Sequence, residues 1–201
     1  MKRYRHILSF LLCLAPFTAS AQHPTAHWAR ASSAAELAEG EAVAADISGN
    51  VYVTGEFNDS IIAFGNIVLY DSLDFQFFSK YNSAPFLVKY SSTGSVLWAN
   101  SFSTLSTYDP RCSDVATDQK GYVYWALSTS IGYQLEKAVV LKYDSLGILL
   151  WQIETRTDSS FYCSAPKLAL DKSGNIYMTG YFGGDSMVLG SHVLRNCVPG
   201  A

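Results

Sequence analysis

A tight turn followed by a strand is encoded in Asp46-Ile-Ser-Gly49-Asn-Val-Tyr-Val-Thr-Gly55. The stretch returns twice, and the first Asp and the turn Gly of the later copies are Asp118 and Gly121, then Asp171 and Gly174. Each copy joins turn residues to alternating β-branched and aromatic residues, which is typical of a turn that leads into a β-strand. A unit that recurs within one chain predicts a repeat architecture.

Two further motifs recur in register with that stretch. An apolar run that ends in Lys-Tyr occupies 86–90 and again 139–143, and each run is followed by a tryptophan, at Trp98 and Trp151. Another tryptophan, Trp28, precedes the first copy, and its segment is predicted to form a lone first strand that lacks the rest of its repeat. Because an alanine-containing strand also comes before each turn Asp, one repeat carries four short strand signals.

This repeat has the features of a β-propeller blade, which consists of four short antiparallel strands. The second and third copies are 53 residues apart, close to the period of about 40 to 50 residues in known propellers. Both faces of the central strand are apolar, as in a sheet stacked between two others. We therefore predict an all-β, incomplete propeller of about two and a half blades, with repeats near 24–101, 112–154 and 165–201. The open blades of this propeller are expected to leave the fragment marginally folded or self-associating. The expected partners of the fragment are the remaining blades of a longer chain.

An additional hairpin is predicted in the first and third repeats, because the segment 57–65 is matched at 182–190. An aromatic cluster from Tyr70 to Tyr81 extends the first of these inserts. Two interpretations of the cluster stay open. Exposed aromatic residues on a rim loop are suited to binding a ligand, and they are equally suited to covering the neighbouring blade.

The first 21 residues have the three parts of a secretory signal: a basic start, the apolar run 7–14 and a small-residue cleavage site that ends at Ala21. We predict cleavage there and a secreted or cell-surface location for 22–201, the partial propeller. No later apolar run is long enough to predict a membrane span. Cleavage removes three of the 14 basic residues and none of the 17 acidic ones, which leaves 11 basic residues and a net charge of −6. This charge argues against nucleic acid as a partner.

Three cysteines follow the predicted cleavage site: Cys112, Cys163 and Cys197. Cys112 and Cys163 occupy nearby positions in successive repeats, so they are candidates for a disulfide, and Cys197 would then lack a partner. Buried thiols are the alternative. Because the chain has neither a CxxC pair nor a Cys/His cluster, no zinc site is predicted.

Taken together, the D-x-x-G-N-x-Y-x-T-G stretch, the F-x-V-K-Y run and the G-x-x-x-W motif resemble the SBBP type of β-propeller repeat, over about residues 24 to 195. The resemblance implies a seven-bladed-propeller-like repeat found in large secreted bacterial proteins, without catalytic residues attached to it. The stretch 144–151 is similar to the tryptophan-docking motif of quinoprotein propellers. That similarity implies that Trp98 and Trp151 interlock adjacent blades, although the adjacent cysteine pair common in quinoproteins is missing.

The recurrent Asp46, Asp118 and Asp171 were weighed as calcium ligands. A calcium loop places several oxygen ligands close together, whereas each loop here offers a single Asp. An Asp that hydrogen-bonds its own turn explains the spacing. We predict no catalytic, cofactor-binding or metal-binding residues, since no motif specifies a nucleophile with its base.

Two functions follow from this reading of the sequence. The leading hypothesis is an exported, noncatalytic module that binds or scaffolds a glycan, a protein or a surface. The alternative is the propeller domain of an exported enzyme, quinoprotein-like or glycan-acting, with its active residues outside this chain.

Overall fold

The computed structural model describes residues 26–34, 37–71, 83–102, 108–131, 135–157 and 163–196. Across these ranges the regular elements are β-strands and no helix is present, so the prediction of an all-β chain is confirmed. A helix able to span a membrane is therefore also lacking from the part of the chain described. In chain order the strands are β1 (Ala38–Ala45), β2 (Val51–Phe57), β3 (Ile61–Phe64), β4 (Ile67–Tyr70), β5 (Ala84–Tyr90), β6 (Val96–Ser101), β7 (Tyr108–Thr117), β8 (Val123–Ile131), β9 (Leu135–Tyr143), β10 (Leu149–Thr157), β11 (Cys163–Leu170), β12 (Ile176–Phe182), β13 (Ser186–Leu189) and β14 (His192–Arg195).

The first repeat forms an antiparallel four-stranded sheet in the order β1-β2-β5-β6. Each of the four strand signals in the sequence falls on one of these strands. Tyr52 on β2 lies opposite Lys89 on β5, and Lys89 lies opposite Trp98 on β6. All seven residues of β5 are buried, as expected for a central strand that is covered on both faces.

The second repeat forms the same arrangement from β7, β8, β9 and β10. Tyr124, Lys142 and Trp151 follow one another across its strands in the register of the first repeat. The third repeat contributes the pair β11–β12 to the described part of the chain.

Both predicted inserts form hairpins, β3–β4 and β13–β14. The second hairpin pairs with the last strand of the preceding repeat, and Val188 on β13 lies opposite Arg156 on β10. A β-bridge between Ser33 and Ala63 has the equivalent position in the first repeat. Each hairpin therefore reaches back to the chain segment of the repeat before it, and β13–β14 extends the second sheet to six strands.

The strand predicted around Trp28 is not formed, because residues 26–32 carry no strand and Ser33 makes only a single bridge. The equivalent strand, β10, has β9 on one side and β13 on the other. A strand is stabilised by laterally placed backbone partners. Among the described residues the backbone of the Trp28 segment pairs with a neighbouring strand only through the bridge between Ser33 and Ala63.

The main apolar core lies between the first two sheets. Tyr52 and Leu87 from the first sheet are fully buried against Trp125 and other side chains of the second. In the third repeat, Tyr177 occupies the position of Tyr52, yet 58% of its surface is exposed. The same apolar pattern is thus buried only where another sheet stacks on it.

Candidate functional site

The recurrent Asp of each repeat holds its own turn. The carboxylate of Asp46 accepts hydrogen bonds from the backbone N–H groups of Ser48 and Asn50, both at 2.9 Å, and from the side-chain amide of Asn50 at 2.9 Å. The hydroxyl of Tyr52 donates to the same carboxylate at 3.0 Å. Burial raises the pKa of Asp46, but these hydrogen bonds outweigh it, and the pKa lies below its ordinary value.

The other two copies repeat this network. Asp118 accepts from the backbone of Lys120 and Tyr122 and from the hydroxyl of Tyr124. Asp171 accepts from the backbone of Ser173, from both nitrogens of Asn175 and from the hydroxyl of Tyr177. The turn glycines Gly49, Gly121 and Gly174 have φ angles of 78°, 80° and 83°, a region that favours glycine. The carboxylates are therefore engaged within their own turns.

In the described ranges no group of three or more His, Cys, Asp or Glu side chains lies close enough together to hold a metal ion. Residues 72–82, which hold most of the predicted aromatic rim cluster, lie outside the described residues. Cys197 and the predicted signal segment 1–21 also lie outside them.

Trp98 joins the first repeat to the second. Its indole Nε1 donates to the carbonyl of Ser145 at 3.1 Å, in the turn between β9 and β10. The indole lies flat against Gly147, where a Cβ atom would come within 2.8 Å of the ring carbon Cδ2. Asn100, two residues after Trp98, donates to the carbonyl of Gly147 at 3.0 Å. The contact thus combines an apolar surface with two hydrogen bonds.

Lys89 completes this contact from the neighbouring strand. Its Nζ donates to the same Ser145 carbonyl at 3.0 Å and lies 5.0 Å from the ring centroid of Tyr52. Tyr52 also packs against Trp98, at 5.9 Å between ring centroids. Burial lowers the pKa of Lys89, although the negative charges of Asp46 and Asp144 act in the opposite direction. We call Tyr52, Lys89 and Trp98 the docking cradle of the first repeat.

The N-terminal segment makes the same contact with the first repeat. The indole of Trp28 donates to the carbonyl of Ser92 at 3.1 Å and lies against Gly94, where a Cβ atom would be 2.8 Å from it. Arg30, at the position of Asn100, donates to the carbonyl of Gly94 at 2.7 Å. Two independent copies of one geometry show that the tryptophan, the turn glycine and the polar residue form a recurring lock.

A second cradle, formed by Tyr124, Lys142 and Trp151, has the same geometry but no described turn resting on it. The Tyr124 and Trp151 rings are 6.1 Å apart at the same 59° angle as Tyr52 and Trp98. Lys142 Nζ lies 5.0 Å from the Tyr124 centroid, as Lys89 does from Tyr52. No turn glycine among the described residues covers Trp151, which is 37% exposed. We call this set the open cradle.

Sequence reasoning singled out Trp98 and Trp151 and marked Gly94 and Gly147 as turn residues, but it missed that a tryptophan of one repeat rests on the turn glycine of the next. Gly94 and Gly147 lie five residues after the lysines of the Lys-Tyr runs, and that constant spacing is the signal that marks them. Lys89 and Lys142 were noted only as part of a strand motif. Their role depends on contacts with a different repeat, which the local pattern does not reveal.

The candidate disulfide stays a prediction, because the side chain of Cys163 is not among those described. Cys112 is a buried free thiol. Its Sγ donates to the carbonyl of Gly55 at 2.9 Å and lies 3.0 Å from the hydroxyl of Thr54. Burial raises its pKa to about 12.

We expect Cys112 to resist alkylation in the native protein at pH 8, because it is buried and stays neutral, and only thiolates react rapidly. Its alkylation is measured by mass spectrometry of the peptide that contains it, with the urea-unfolded protein as control. Because burial penalises only the thiolate, the thiol leaves the stability of the fold unchanged below about pH 9, its ordinary pKa, and the stability falls as the pH rises from there towards 12. Equal alkylation rates in native and unfolded protein would contradict the assignment.

Comparison with protein-family models finds no match for this chain. Comparison with curated proteins finds no match either.

Proposed function

We propose that this protein is an exported, noncatalytic repeat module of the β-propeller type, which serves as a scaffold and binds a ligand through its rim. The observation that carries the proposal is the recurring lock, in which Trp28 and Trp98 each rest on the turn glycine of the following repeat. Such a contact fixes successive sheets face to face, as a propeller requires. In this proposal the sheets are blades of the SBBP type, about two and a half of which lie in residues 22–201.

The recurring polar residues support a scaffolding role. The three turn Asp carboxylates accept hydrogen bonds within their own turns, and Lys89 donates to the turn that Trp98 covers. The Asp carboxylates stabilise their own turns, and Lys89 links the first repeat to the second, so each of these groups is engaged in a structural contact. Catalysis requires nucleophile, base and orienting group to converge on one site.

The β3–β4 hairpin supplies the best surface for a ligand. Ile61 and Tyr70 lie opposite each other on it, and 45% and 67% of their surfaces are exposed. Val68, on the same strand as Tyr70, is 42% exposed. A group of exposed apolar side chains with an aromatic residue marks an interaction surface, and the aromatic ring is suited to stacking on a glycan.

The proposal predicts that Tyr70→Ser raises the dissociation constant of the ligand at least about tenfold, which corresponds to a loss of about 1.4 kcal/mol of binding free energy. The fold should be unchanged. Binding is measured with labelled protein on a glycan array and on intact bacterial cells. The matched control is Val193→Ser, which alters an apolar residue of the β13–β14 hairpin that is 52% exposed. A protein that binds neither probe, or binds equally well with Tyr70→Ser, would contradict the assignment of the ligand to this hairpin.

The similarity of the Trp98 lock to quinoprotein docking motifs favours one alternative function, the propeller domain of an exported enzyme. Incubation of the protein with pyrroloquinoline quinone and calcium discriminates between the two. The noncatalytic module is expected to give the spectrum of the free cofactor, and a new absorbance band that stays with the protein on gel filtration would support the enzyme.

A further inference from the structure

An apolar groove with a volume of about 340 Å³ lies between β12 and the β13–β14 hairpin of the third repeat. Ala138 on β9 and Pro166 on β11 also line the groove. The side chains that give it its apolar character are Ile176, Met178, Phe182, Met187, Leu189 and Leu194.

The first repeat fills the equivalent space with its own strand β5. Phe57, Ile62, Phe64 and Leu69 lie 125 residues before Phe182, Met187, Leu189 and Leu194, respectively. They pack around Ala84, Phe86 and Val88, with the Phe64 and Phe86 rings 4.9 Å apart. Leu69 is 9% exposed in this packing, whereas Leu194 is 48% exposed. The groove of the third repeat is therefore lined as if for a strand like β5.

A glycine at the edge of the groove leaves space for an aromatic side chain of an incoming strand. A Cβ atom on Gly55 would come within 1.9 Å of the backbone oxygen of Glu39 on β1 and within 2.7 Å of the ring of Phe86, so a glycine at this position makes room for both the backbone of β1 and that ring. Gly180 stands at the same position on β12 and lines the groove. The third repeat thus retains the space for an aromatic side chain.

The backbone of β12 has one edge that no described strand pairs with. Strand β2 pairs along its whole length with β5, from Val51 opposite Tyr90 to Phe57 opposite Ala84. Among the described strands β12 pairs only with β11. An unpaired edge presents N–H and C=O groups to an incoming strand, and such strand addition combines backbone hydrogen bonds with pockets for alternate side chains.

The groove and the open cradle fit one and the same hairpin. In the second repeat, β9 pairs with β8, and the turn that leads from β9 to β10 is the one on which Trp98 rests. A hairpin whose first strand pairs with β12 would bring its turn to Trp151 in the same way. Both surfaces then lose their exposure in a single event.

We propose that the groove beside β12 and the open cradle together bind a β-hairpin of this protein's own repeat type, supplied by another repeat of the same protein. Its first strand carries apolar residues at alternate positions, with an aromatic residue opposite Gly180 and a Lys-Tyr end. Its turn carries a glycine with positive φ, which receives Trp151. This inference rests on the repeat arrangement proposed above and adds the register and the sequence of the occupant.

The test uses a labelled synthetic peptide of residues 83–102, which contains the β5–β6 hairpin, added to the purified protein. We expect a rise in peptide fluorescence anisotropy and a higher melting temperature of the protein, because a ligand that binds only the folded state stabilises it. Peptides with Phe86→Ser or Gly94→Val should each bind at least about tenfold more weakly. The matched control is Ser95→Ala, which alters an exposed turn residue and should bind like the parent peptide.

Changes in the peptide cannot unfold the protein, so weak binding of the variants reports on the contact itself. Trp151→Ala in the protein should also weaken the parent peptide, by about tenfold. Absence of binding, equal binding of all four peptides, or a stable protein dimer that the peptide does not dissociate would each overturn the proposal. The effect of Tyr70→Ser on ligand binding is measured separately, so failure here is distinguishable from failure of the proposed function.

Discussion

Gly147→Ala should destabilise the protein by about 3 to 4 kcal/mol. A non-glycine residue at the φ angle of 83° found here costs about 1 to 2 kcal/mol. The new methyl group would also lie 2.8 Å from the Trp98 ring, and such overpacking adds about 1 to 3 kcal/mol. The free energy of unfolding is measured by urea titration, followed by both circular dichroism and tryptophan fluorescence.

Gly121→Ala is the matched control for that change. Gly121 lies in the same sheet and has a φ angle of 80°, but a Cβ atom there would meet only the Ser145 side chain at an ordinary 3.9 Å. Gly121→Ala should lower the free energy of unfolding only by the cost of placing a non-glycine residue at a positive φ angle, about 1 to 2 kcal/mol. If the two glycine variants are equally destabilised, Trp98 does not lock the repeats through Gly147.

Trp98→Ala should cost about 2 to 4 kcal/mol, somewhat less than the loss of a fully buried tryptophan. The change removes the stacking on Gly147, the hydrogen bond to Ser145 and the packing against Tyr52. It also uncovers Lys89, which lies buried beside the same carbonyl. Urea titration again supplies the measurement.

The same substitution at Trp151 provides the comparison, since Trp151 has the same strand position but no turn glycine against it in the described part of the chain. We expect it to cost about 1 kcal/mol, as for a partly exposed residue. The double variant Trp98→Ala/Gly147→Ala should cost less than the two single changes together, because removing the indole removes the clash. Strict additivity of the two changes would argue against direct contact in solution.

The local elements of this fold were predictable because they depend on neighbouring residues. The D-x-x-G turns at Asp46 and Asp171 and the strands that follow them arise from turn chemistry and an alternating apolar pattern. The two hairpin inserts followed from comparing 57–65 with 182–190, and both are present. The prediction of a strand at Trp28 was wrong, because a strand also needs a neighbouring strand to pair with, and a local sequence pattern does not supply one.

By itself, the sequence determined the turns, the strand segments of each repeat and the tryptophan positions, since these follow from the pattern of neighbouring residues. Only the tertiary structure decided that β13–β14 pairs with the preceding repeat, that Lys89 and Trp98 share the Ser145 carbonyl, and that the Tyr124, Lys142 and Trp151 cradle is open. These contacts join residues about 30 to 60 positions apart and depend on how neighbouring sheets stack. The same motif is therefore buried at Tyr52 and exposed at Tyr177, because burial is set by the surface that lies opposite a residue and not by the residue's own sequence.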